Sequence, residues 1–434
     1  MTVTVRSFRG FVLALMVLVL ASGLGFAGAQ REAAAPDAEL DIWTFVDTHA
    51  RWFREMADVF GPEIAPGFAV DVSVVAYSEM HDRLLVSLQT GIGAPDISDV
   101  EQGRFGAFLR DRPIGFVDLT ERLEQGGHLD DIVASRLSLY QDAEGRAYGI
   151  EHALTPVVLY YRADVFDEHG ITPDDLQTWD DFIRVGMDLS DDTRKMFALE
   201  AGYLTILLRQ RGTGWFDEHG RIQADTDPII LDTLEWLLAM RDDYGIAGER
   251  ADEDAAHYAA LREGRYLTQL GADWFAGFFK DNLPEMEGMW RAMPLPVWPD
   301  DPERRNTSVF GGTGATITRF SERIDLAWSF LEASMLSVEG NVRRFELTNL
   351  FPPYIPAWDD ERLYQADPYF DGQVLGRLFA EVGANAPKQN QAVNLTMVHS
   401  TLWPENYWLD VLDGRMEPRT ALERLASDVR ARED

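Results

Sequence analysis

In the first part of the chain, segments whose hydrophobic residues repeat every second position, as in strands, alternate with segments that repeat every three or four positions, as in helices. Residues 40–46 (LDIWTFV) predict a first strand, and residues 68–77 (FAVDVSVVAY) alternate like a second one. Residues 50–60 and 80–90 place apolar side chains three and four positions apart, which predicts amphipathic helices. The short run 95–101 (PDISDVE) predicts a third strand. Strand, helix, strand, helix, strand is the order of a parallel α/β sheet.

The same two periods continue in the rest of the chain. Residues 145–150 and 155–162 predict two nearly consecutive strands, which we interpret as the passage from one lobe to another. Further strands are predicted at 266–271 and 290–296. The remaining predicted helices lie at 164–170, 178–189, 204–211, 229–243, 254–263 and 323–337, and the chain from Tyr364 onward is mostly helical.

The first thirty residues have a different pattern. Arg6 and Arg9 precede an apolar run at 11–20, and Ala27-Gly28-Ala29 presents the small residues of a cleavage site. A membrane-spanning helix needs about 20 apolar residues, which this run does not reach. We therefore predict a signal peptide over residues 1–29, cleaved after Ala29, and export of the remaining chain.

Length, charge and the absence of cysteine narrow the class of protein. The chain beyond Ala29 is too long for one ordinary core and favours two domains. The net charge of −34 repels phosphate backbones and anionic lipids, so nucleic acid and membrane surfaces are poor partners. Because there is no cysteine, there is no residue that could carry the lipid of a bacterial lipoprotein. A freely diffusing, monomeric periplasmic protein is therefore expected.

Several stretches, in a fixed order, carry a family resemblance. The combination of PDI, GR-x-YGI with YYR-x-DVF, and FGGTGA-x-I is specific. The chain resembles the family 1 extracellular solute-binding proteins of ABC importers, which are of the maltose-binding type, and within them the sugar branch with arabinose-type binders. The stretches are WTF at 43–45, SEMHDRLLVSLQTGIGAPDISDVEQGRF at 78–105, GRAYGIEHALTPVVLYYRADVFDEHGI at 145–171, TWDDFI at 178–183, GTGWFDEHGRI at 212–222, SVFGGTGATIT at 308–318, AWSFLEASMLSVEGNVRRF at 327–345 and FPPYIPAW at 351–358.

The resemblance implies an α/β protein with the two-lobed periplasmic-binding-protein type II fold and a hinged cleft between the lobes. It places the chain crossings near Ala153, Ala292 and Gly340. It further implies a sugar as ligand, membrane permease subunits of an ABC importer as partners, no cofactor and no enzymatic activity. One predicted lobe combines residues 38–153 with 293–340, and the other combines residues 155–291 with 341–434.

A sugar site needs aromatic faces for the rings and polar groups for the hydroxyls. In α/β lobes such a site lies beyond the carboxyl ends of strands. Asp273 and Trp274 follow a predicted strand and are the favoured pair, because an indole beside a carboxylate suits a sugar. Gly311 and Gly312 allow the backbone to approach a ligand closely. The other candidates are Phe45, Asp47, His49, Glu101, Glu151, His152, Thr313, Tyr354 and Trp358, and residues 212–215 form a further candidate segment.

Structural roles stay open for many of these candidates. Asp47 and His49 are equally suited to capping the helix that follows them. Glu151 and His152 are suited to hydrogen bonds at the hinge. The aromatic residues are suited to the core.

Other functions also remain open. A secreted glycoside hydrolase would use a carboxylate pair such as Glu101 and Asp273, about 5–10 Å apart. The same fold could instead bind a polyamine, an organic acid or iron. No metal site is predicted, because the eight histidines are dispersed and no HExxH motif occurs. Nucleophilic catalysis lacks both a GxSxG motif and a cysteine.

Overall fold

The computed structural model describes residues 38–110, 113–251, 254–387, 389, 390, 392 and 394–432. The predicted signal peptide, residues 1–29, lies outside the described residues. Across the described ranges, no helix is both long enough and apolar enough to cross a membrane.

The strands of the described chain form three sheets. The largest sheet has the order β2-β1-β3-β10-β4, the second has the order β8-β5-β9, and the third pairs β6 with β7. The strands are β1 Glu39–Thr44, β2 Ala69–Val74, β3 Ile97–Glu101, β4 Ile150–Glu151, β5 Val157–Arg162, β6 Phe197–Leu199, β7 Ala247–Glu249, β8 Thr268–Ala272, β9 Trp290–Met293 and β10 Thr313–Ile317.

The helices lie between the strands in the first half of the chain and follow one another in the last third. The α-helices are α1 Asp47–Ile64, α2 Tyr77–Thr90, α3 Gln102–Phe108, α4 Thr120–Gly126, α5 Ala134–Leu137, α6 Ala163–Glu168, α7 Trp179–Leu189, α8 Ala201–Gln210, α9 Pro228–Asp242, α10 Asp254–Arg262, α11 Trp274–Asn282, α12 Ile324–Met335, α13 Val338–Thr348, α14 Leu375–Gly383, α15 Leu395–Met397, α16 Leu409–Leu412 and α17 Pro418–Arg430. A π-helix spans Val398–Trp408, between α15 and α16.

The largest sheet combines local and distant strands. β1 pairs in parallel with both β2 and β3, as the strand–helix alternation predicts. β10 then enters antiparallel between β3 and β4, although about two hundred residues of chain separate it from β3. All five residues of β10 are buried, so this strand lies in the interior of the sheet. The insertion brings the Gly311–Thr313 segment next to the end of β3.

The second sheet is built around β5. Its six residues are all buried, and β8 and β9 pair antiparallel on either side of it. β5 follows β4 after a short connection that contains Thr155, whose φ of 54° lies in the left-handed region. A β-branched residue rarely adopts that conformation, so the packing around this connection must hold it in place.

One predicted strand is mostly absent. The pattern at 145–150 predicts a strand, whereas the strand present is only β4, Ile150–Glu151. Gly145 has a φ of 80° and lies in a turn. The carboxylate of Asp142 accepts the N–H groups of Glu144 and Arg146, so these residues are bound within the turn instead of a sheet.

Candidate functional site

A cavity of about 200 Å³ lies at the ends of β1, β3, β4 and β10 and the start of α11. Residues at the ends of these strands line the cavity, as expected for a ligand site in an α/β fold. Eight predicted site residues line it: Phe45, His49, Glu101, His152, Trp274, Gly311, Gly312 and Thr313. The lining residues that the sequence interpretation missed are Val46, Thr48, Ala153, Thr155, Phe278, Thr348 and Leu350. Most of these are small or apolar, and their sequence pattern resembles that of core positions.

Trp274 is the largest aromatic side chain in the lining of this cavity. The residue is half-buried, and its indole packs against Phe278 with ring centroids 5.3 Å apart. The indole Nε1 donates a hydrogen bond to the carbonyl oxygen of Phe310 at 3.1 Å. The ring is therefore held in one orientation beside the segment that leads into Gly311.

Asp273, predicted as the partner of Trp274 in contacting a ligand, does not line the cavity. Its side chain is fully buried, and its two oxygens accept the N–H groups of Trp274 and Phe351, each at 2.8 Å. The backbone N–H of Thr155 also binds this carboxylate. Burial raises the pKa of Asp273 to about 7, although these three N–H groups oppose the rise. The carboxylate thus ties together α11, the β4–β5 connection and the chain before Tyr354.

Glu151 is likewise structural. It is buried, and its carboxylate receives the guanidinium of Arg136 at 3.0 Å and the N–H of Thr313 at 2.7 Å. Burial raises the pKa of Glu151 to about 7, against the opposing effect of Arg136. Arg136 also donates to the carbonyl oxygen of Gly311 at 3.3 Å. This buried ion pair fixes the start of β10 and does not face the cavity.

Gly312 shows why only glycine fits beside that ion pair. Its φ is 128°, and a Cβ atom placed on it would lie 2.3 Å from Nη2 of Arg136 and 3.0 Å from Oε2 of Glu151. Gly311 has a φ of 67°. The two glycines therefore bring bare backbone to the cavity wall.

The remaining predicted residues, Asp47, Tyr354 and Trp358, do not line the cavity. Asp47 is exposed at the start of α1. Tyr354 is buried, pairs across an isolated bridge with Ile132 and donates its hydroxyl to Asp131 at 3.4 Å. Trp358 donates its indole N–H to the carbonyl oxygen of Pro352 at 2.9 Å. These two aromatic residues stabilise the chain that follows α13.

Glu101 is the acidic side chain of the cavity wall. Its carboxylate accepts the N–H of Gly103 at 2.8 Å, which caps α3, and the hydroxyl of Tyr77 at 3.1 Å. Burial raises its pKa, and the nearby guanidinium groups of Arg209 and Arg104 oppose the rise. One carboxylate is thus held in place at the cavity with acceptor capacity left for a ligand hydroxyl.

Two histidines of the cavity lining contact one buried aspartate. Oδ2 of Asp99 lies 2.9 Å from His49 Nδ1 and accepts the Thr44 hydroxyl at 2.7 Å, while Oδ1 lies 2.8 Å from His152 Nε2. The two imidazoles stack with centroids 4.3 Å apart. Burial alone would raise the pKa of Asp99, but the two imidazoles hold that pKa well below its usual range. We call His49, Asp99 and His152 the imidazole clamp.

The imidazole clamp corrects the argument against a metal site. The histidines are dispersed in the sequence, yet folding brings His49 and His152 to one carboxylate, with candidate ligand atoms within 4.8 Å of one another. Two imidazoles and a carboxylate are a donor set that transition metals use. In the structure each oxygen of Asp99 already accepts a hydrogen bond from a different imidazole. Arg344, whose charge acts on Asp99, adds a buried cation beside this group.

A second cavity, of about 610 Å³, contains the candidate segment 212–215. Arg209 also lines it and is almost fully buried, with Nη1 donating to the carbonyl oxygen of Val309 at 2.8 Å. Burial lowers the pKa of Arg209 to about 9. The sequence interpretation missed this arginine because it lies within a predicted apolar helix. A charged residue on the apolar face (ILLRQ) is the pattern that marks it.

Comparisons with known proteins agree with this architecture. The arabinooligosaccharide-binding protein of Bacillus subtilis (strain 168) is 29% identical over 370 residues, which cover 83% of both chains. The lactose-binding protein of Rhizobium radiobacter is 23% identical over 370 residues, which cover 83% of this chain and 85% of that protein. Among solved structures, an ABC transporter associated binding protein of B. animalis subsp. lactis Bl-04, in complex with beta-1,6-galactobiose, has a TM-score of 0.74 and 16% identity. That alignment covers 90% of this chain and 96% of the other.

The structural similarity confirms the predicted two-lobed α/β fold. The boundaries of the two lobes stay a prediction. A family model described as "Bacterial extracellular solute-binding protein" matches residues 47–337, which is more than half of the chain. On this match, the chain belongs to the family of bacterial extracellular solute-binding proteins.

Proposed function

We propose that the protein is the substrate-binding component of an ABC importer and captures a mono- or oligosaccharide in the 200 Å³ cavity. The observation that carries the proposal is the half-buried face of Trp274 at this cavity, with Glu101 and the bare backbone at Gly311 also in its wall. A sugar ring stacks on an aromatic face, and its hydroxyls bind carboxylates and backbone groups. The sugar ligands named for the relatives support the same chemistry.

The setting of this function follows from the first thirty residues and the charge. We propose that the chain is exported, that the leader is cleaved after Ala29, and that the protein acts as a periplasmic monomer. Its partners are the sugar and the permease subunits in the membrane. Its negative charge keeps it away from nucleic acid and from anionic lipid.

The hydrolase alternative is disfavoured by the surroundings of its two carboxylates. Asp273 is fully buried, and backbone N–H groups bind both of its oxygens, so it cannot serve as a nucleophile or a general base. Glu101 alone does not form the pair that glycoside hydrolysis requires. We therefore propose binding without turnover.

A thermal-shift panel tests this proposal against the other ligand classes. The protein is heated with arabinotriose, lactose, maltotriose, spermidine, citrate and ferric citrate, each under the same buffer conditions. A ligand at 100 times its dissociation constant adds about 2.7 kcal/mol of stability, which is a measurable rise in melting temperature. We expect a rise with one of the sugars. A rise with spermidine, citrate or iron and none with any sugar contradicts the proposal.

A further inference from the structure

The imidazole clamp determines which nitrogen of each histidine carries a proton. The Asp99 carboxylate has a pKa well below its usual range, so it is ionised and acts only as an acceptor. The nitrogens that contact it, His49 Nδ1 at 2.9 Å and His152 Nε2 at 2.8 Å, must therefore be the protonated ones. In a neutral imidazole the opposite nitrogen is then a bare acceptor.

The surroundings of His152 favour a neutral imidazole. Asp99 carries one negative charge, and Arg344, which donates to the carbonyl oxygen of His152 at 2.8 Å, supplies one positive charge. Besides Asp99 and Arg344, the titratable group that acts on His152 is His49. Burial lowers the pKa of His152 to about 3. A second proton on His152 would also sit on Nδ1, which is buried and has no hydrogen-bond partner. A doubly protonated His152 would therefore hold a buried N–H that finds no acceptor.

His49 and His152 differ in what their free nitrogen can reach. Nδ1 of His152 is buried, and its ring lies edge-on to Trp52 and Phe53. His49 borders the cavity, and its Nε2 has no hydrogen-bond partner among the described residues. A polar atom left free at a cavity wall is available to a ligand.

We propose that His49 Nε2 is a hydrogen-bond acceptor for one hydroxyl of the ligand, and that Asp99 is the positioning residue that fixes this tautomer. The proposal rests on the proposed function, because a hydroxyl donor is the group that a sugar presents. His152 binds the other oxygen of the Asp99 carboxylate, and its ring stacks on that of His49. The site therefore selects a ligand that donates a hydrogen bond at this point and disfavours one that only accepts there.

The tautomers are measured first, in the ligand-free protein. The chain is labelled with 15N-histidine, and long-range 1H–15N spectra distinguish protonated from bare ring nitrogens. The His49→Gln and His152→Gln variants assign the two signals. We expect a proton on Nδ1 of His49 and on Nε2 of His152 at neutral pH. A proton on Nε2 of His49 overturns the proposal, whether or not any sugar binds.

The Asp99→Asn variant tests the positioning role. An amide has one acceptor oxygen and one donor nitrogen, so it can receive only one of the two imidazole N–H groups. We expect one of the two histidines to change tautomer in the same spectra, while the melting curve remains cooperative. A purely structural role would leave both tautomers unchanged, and that result overturns the assignment of Asp99.

Calorimetric titration with arabinotriose tests the contact to the ligand. The His49→Phe variant retains a ring that can stack on His152 but has no acceptor nitrogen, and His49→Gln retains an acceptor. Loss of one neutral hydrogen bond predicts about tenfold weaker binding for His49→Phe. We expect a smaller loss for His49→Gln. Equal binding by the wild type and both variants overturns the inference, whereas absence of binding by the wild type contradicts the proposed function instead.

A zinc titration tests whether the imidazole clamp is instead a metal site. The metal-free protein is titrated with zinc sulfate, and bound metal is counted after dialysis. We expect no zinc that depends on His49, because both Asp99 oxygens are held by the imidazoles. One zinc per chain that is lost in the His49→Phe variant would show that the clamp is a metal site and overturns the inference.

Discussion

The buried carboxyl of Asp273 makes a prediction about how stability depends on pH. Its folded-state pKa is raised from 3.8 to about 7 by burial. A group whose pKa is raised on folding binds more protons in the folded state between these values, so stability falls as pH rises from about 4 to about 7. The Asp273→Asn variant carries a neutral amide of the same size at all pH values. It should therefore lack this part of the decline.

The magnitude follows from the shift. Raising the pKa from 3.8 to about 7 corresponds to an upper limit of about 4 kcal/mol, at about 1.4 kcal/mol for each pKa unit. Glu151, with a pKa raised to about 7, contributes a similar decline that the variant retains. We therefore expect the difference in unfolding free energy between variant and wild type to move by several kcal/mol, in favour of the variant, between pH 4.5 and pH 8.

Urea unfolding of both proteins at several pH values measures this difference. Subtracting the two curves removes the contributions of all other titrating groups. An Asp47→Asn variant is the control for the loss of one carboxylate, since this aspartate is exposed at the start of α1. A constant difference between Asp273→Asn and wild type would show that the carboxylate is ionised in the folded state throughout this pH range, contrary to the raised pKa of Asp273.

Two further predictions concern the segment before β10. Gly312→Ala places a methyl group 2.3 Å from Arg136 Nη2, so we expect a loss of about 3–5 kcal/mol in urea unfolding as the buried ion pair breaks. Gly214→Ala meets nothing within 4 Å and should change stability little. Arg136→Met should cost about 3–5 kcal/mol by leaving Glu151 unpaired, and adding Glu151→Gln should restore part of that loss. Additive losses in the double variant would contradict the pairing.

The spacing of hydrophobic residues predicted the parallel part of the fold, because the strands and helices that are neighbours there also follow one another in the chain. The α1 and α2 patterns and the strands beside them appear within a few residues of their predicted bounds. The position of β10 could not be predicted in this way. Its pairing with β3 and β4 depends on contacts across about two hundred residues, which periodicity does not record.

For a similar reason, only some residues of the candidate site could be predicted from the sequence. The rule that ligands lie beyond strand ends identified the loops of Phe45, Glu101 and Gly311, which line the cavity. It could not separate Asp273 from Trp274, because adjacent residues at the start of a helix point in different directions. Only the three-dimensional structure shows that backbone N–H groups bind the carboxylate and that the indole faces the cavity.

The imidazole clamp shows the same limit for polar residues. His49 lies 50 residues before Asp99, and His152 lies 53 residues after it. No spacing rule joins three residues at such separations. Their association depends on β1, β3 and β4 belonging to one sheet, which requires β10 between β3 and β4.

The proposed function places a bound sugar against Trp274. Its most direct test is calorimetric titration of arabinotriose, or of the sugar that raises the melting temperature most, into the wild type and into Trp274→Ala. Tyr244→Ala, which alters an aromatic residue exposed outside the cavity, is the matched control. We expect one sugar per chain for the wild type and the control, and at least tenfold weaker binding for Trp274→Ala. Equal affinity in all three proteins would contradict this placement of the sugar.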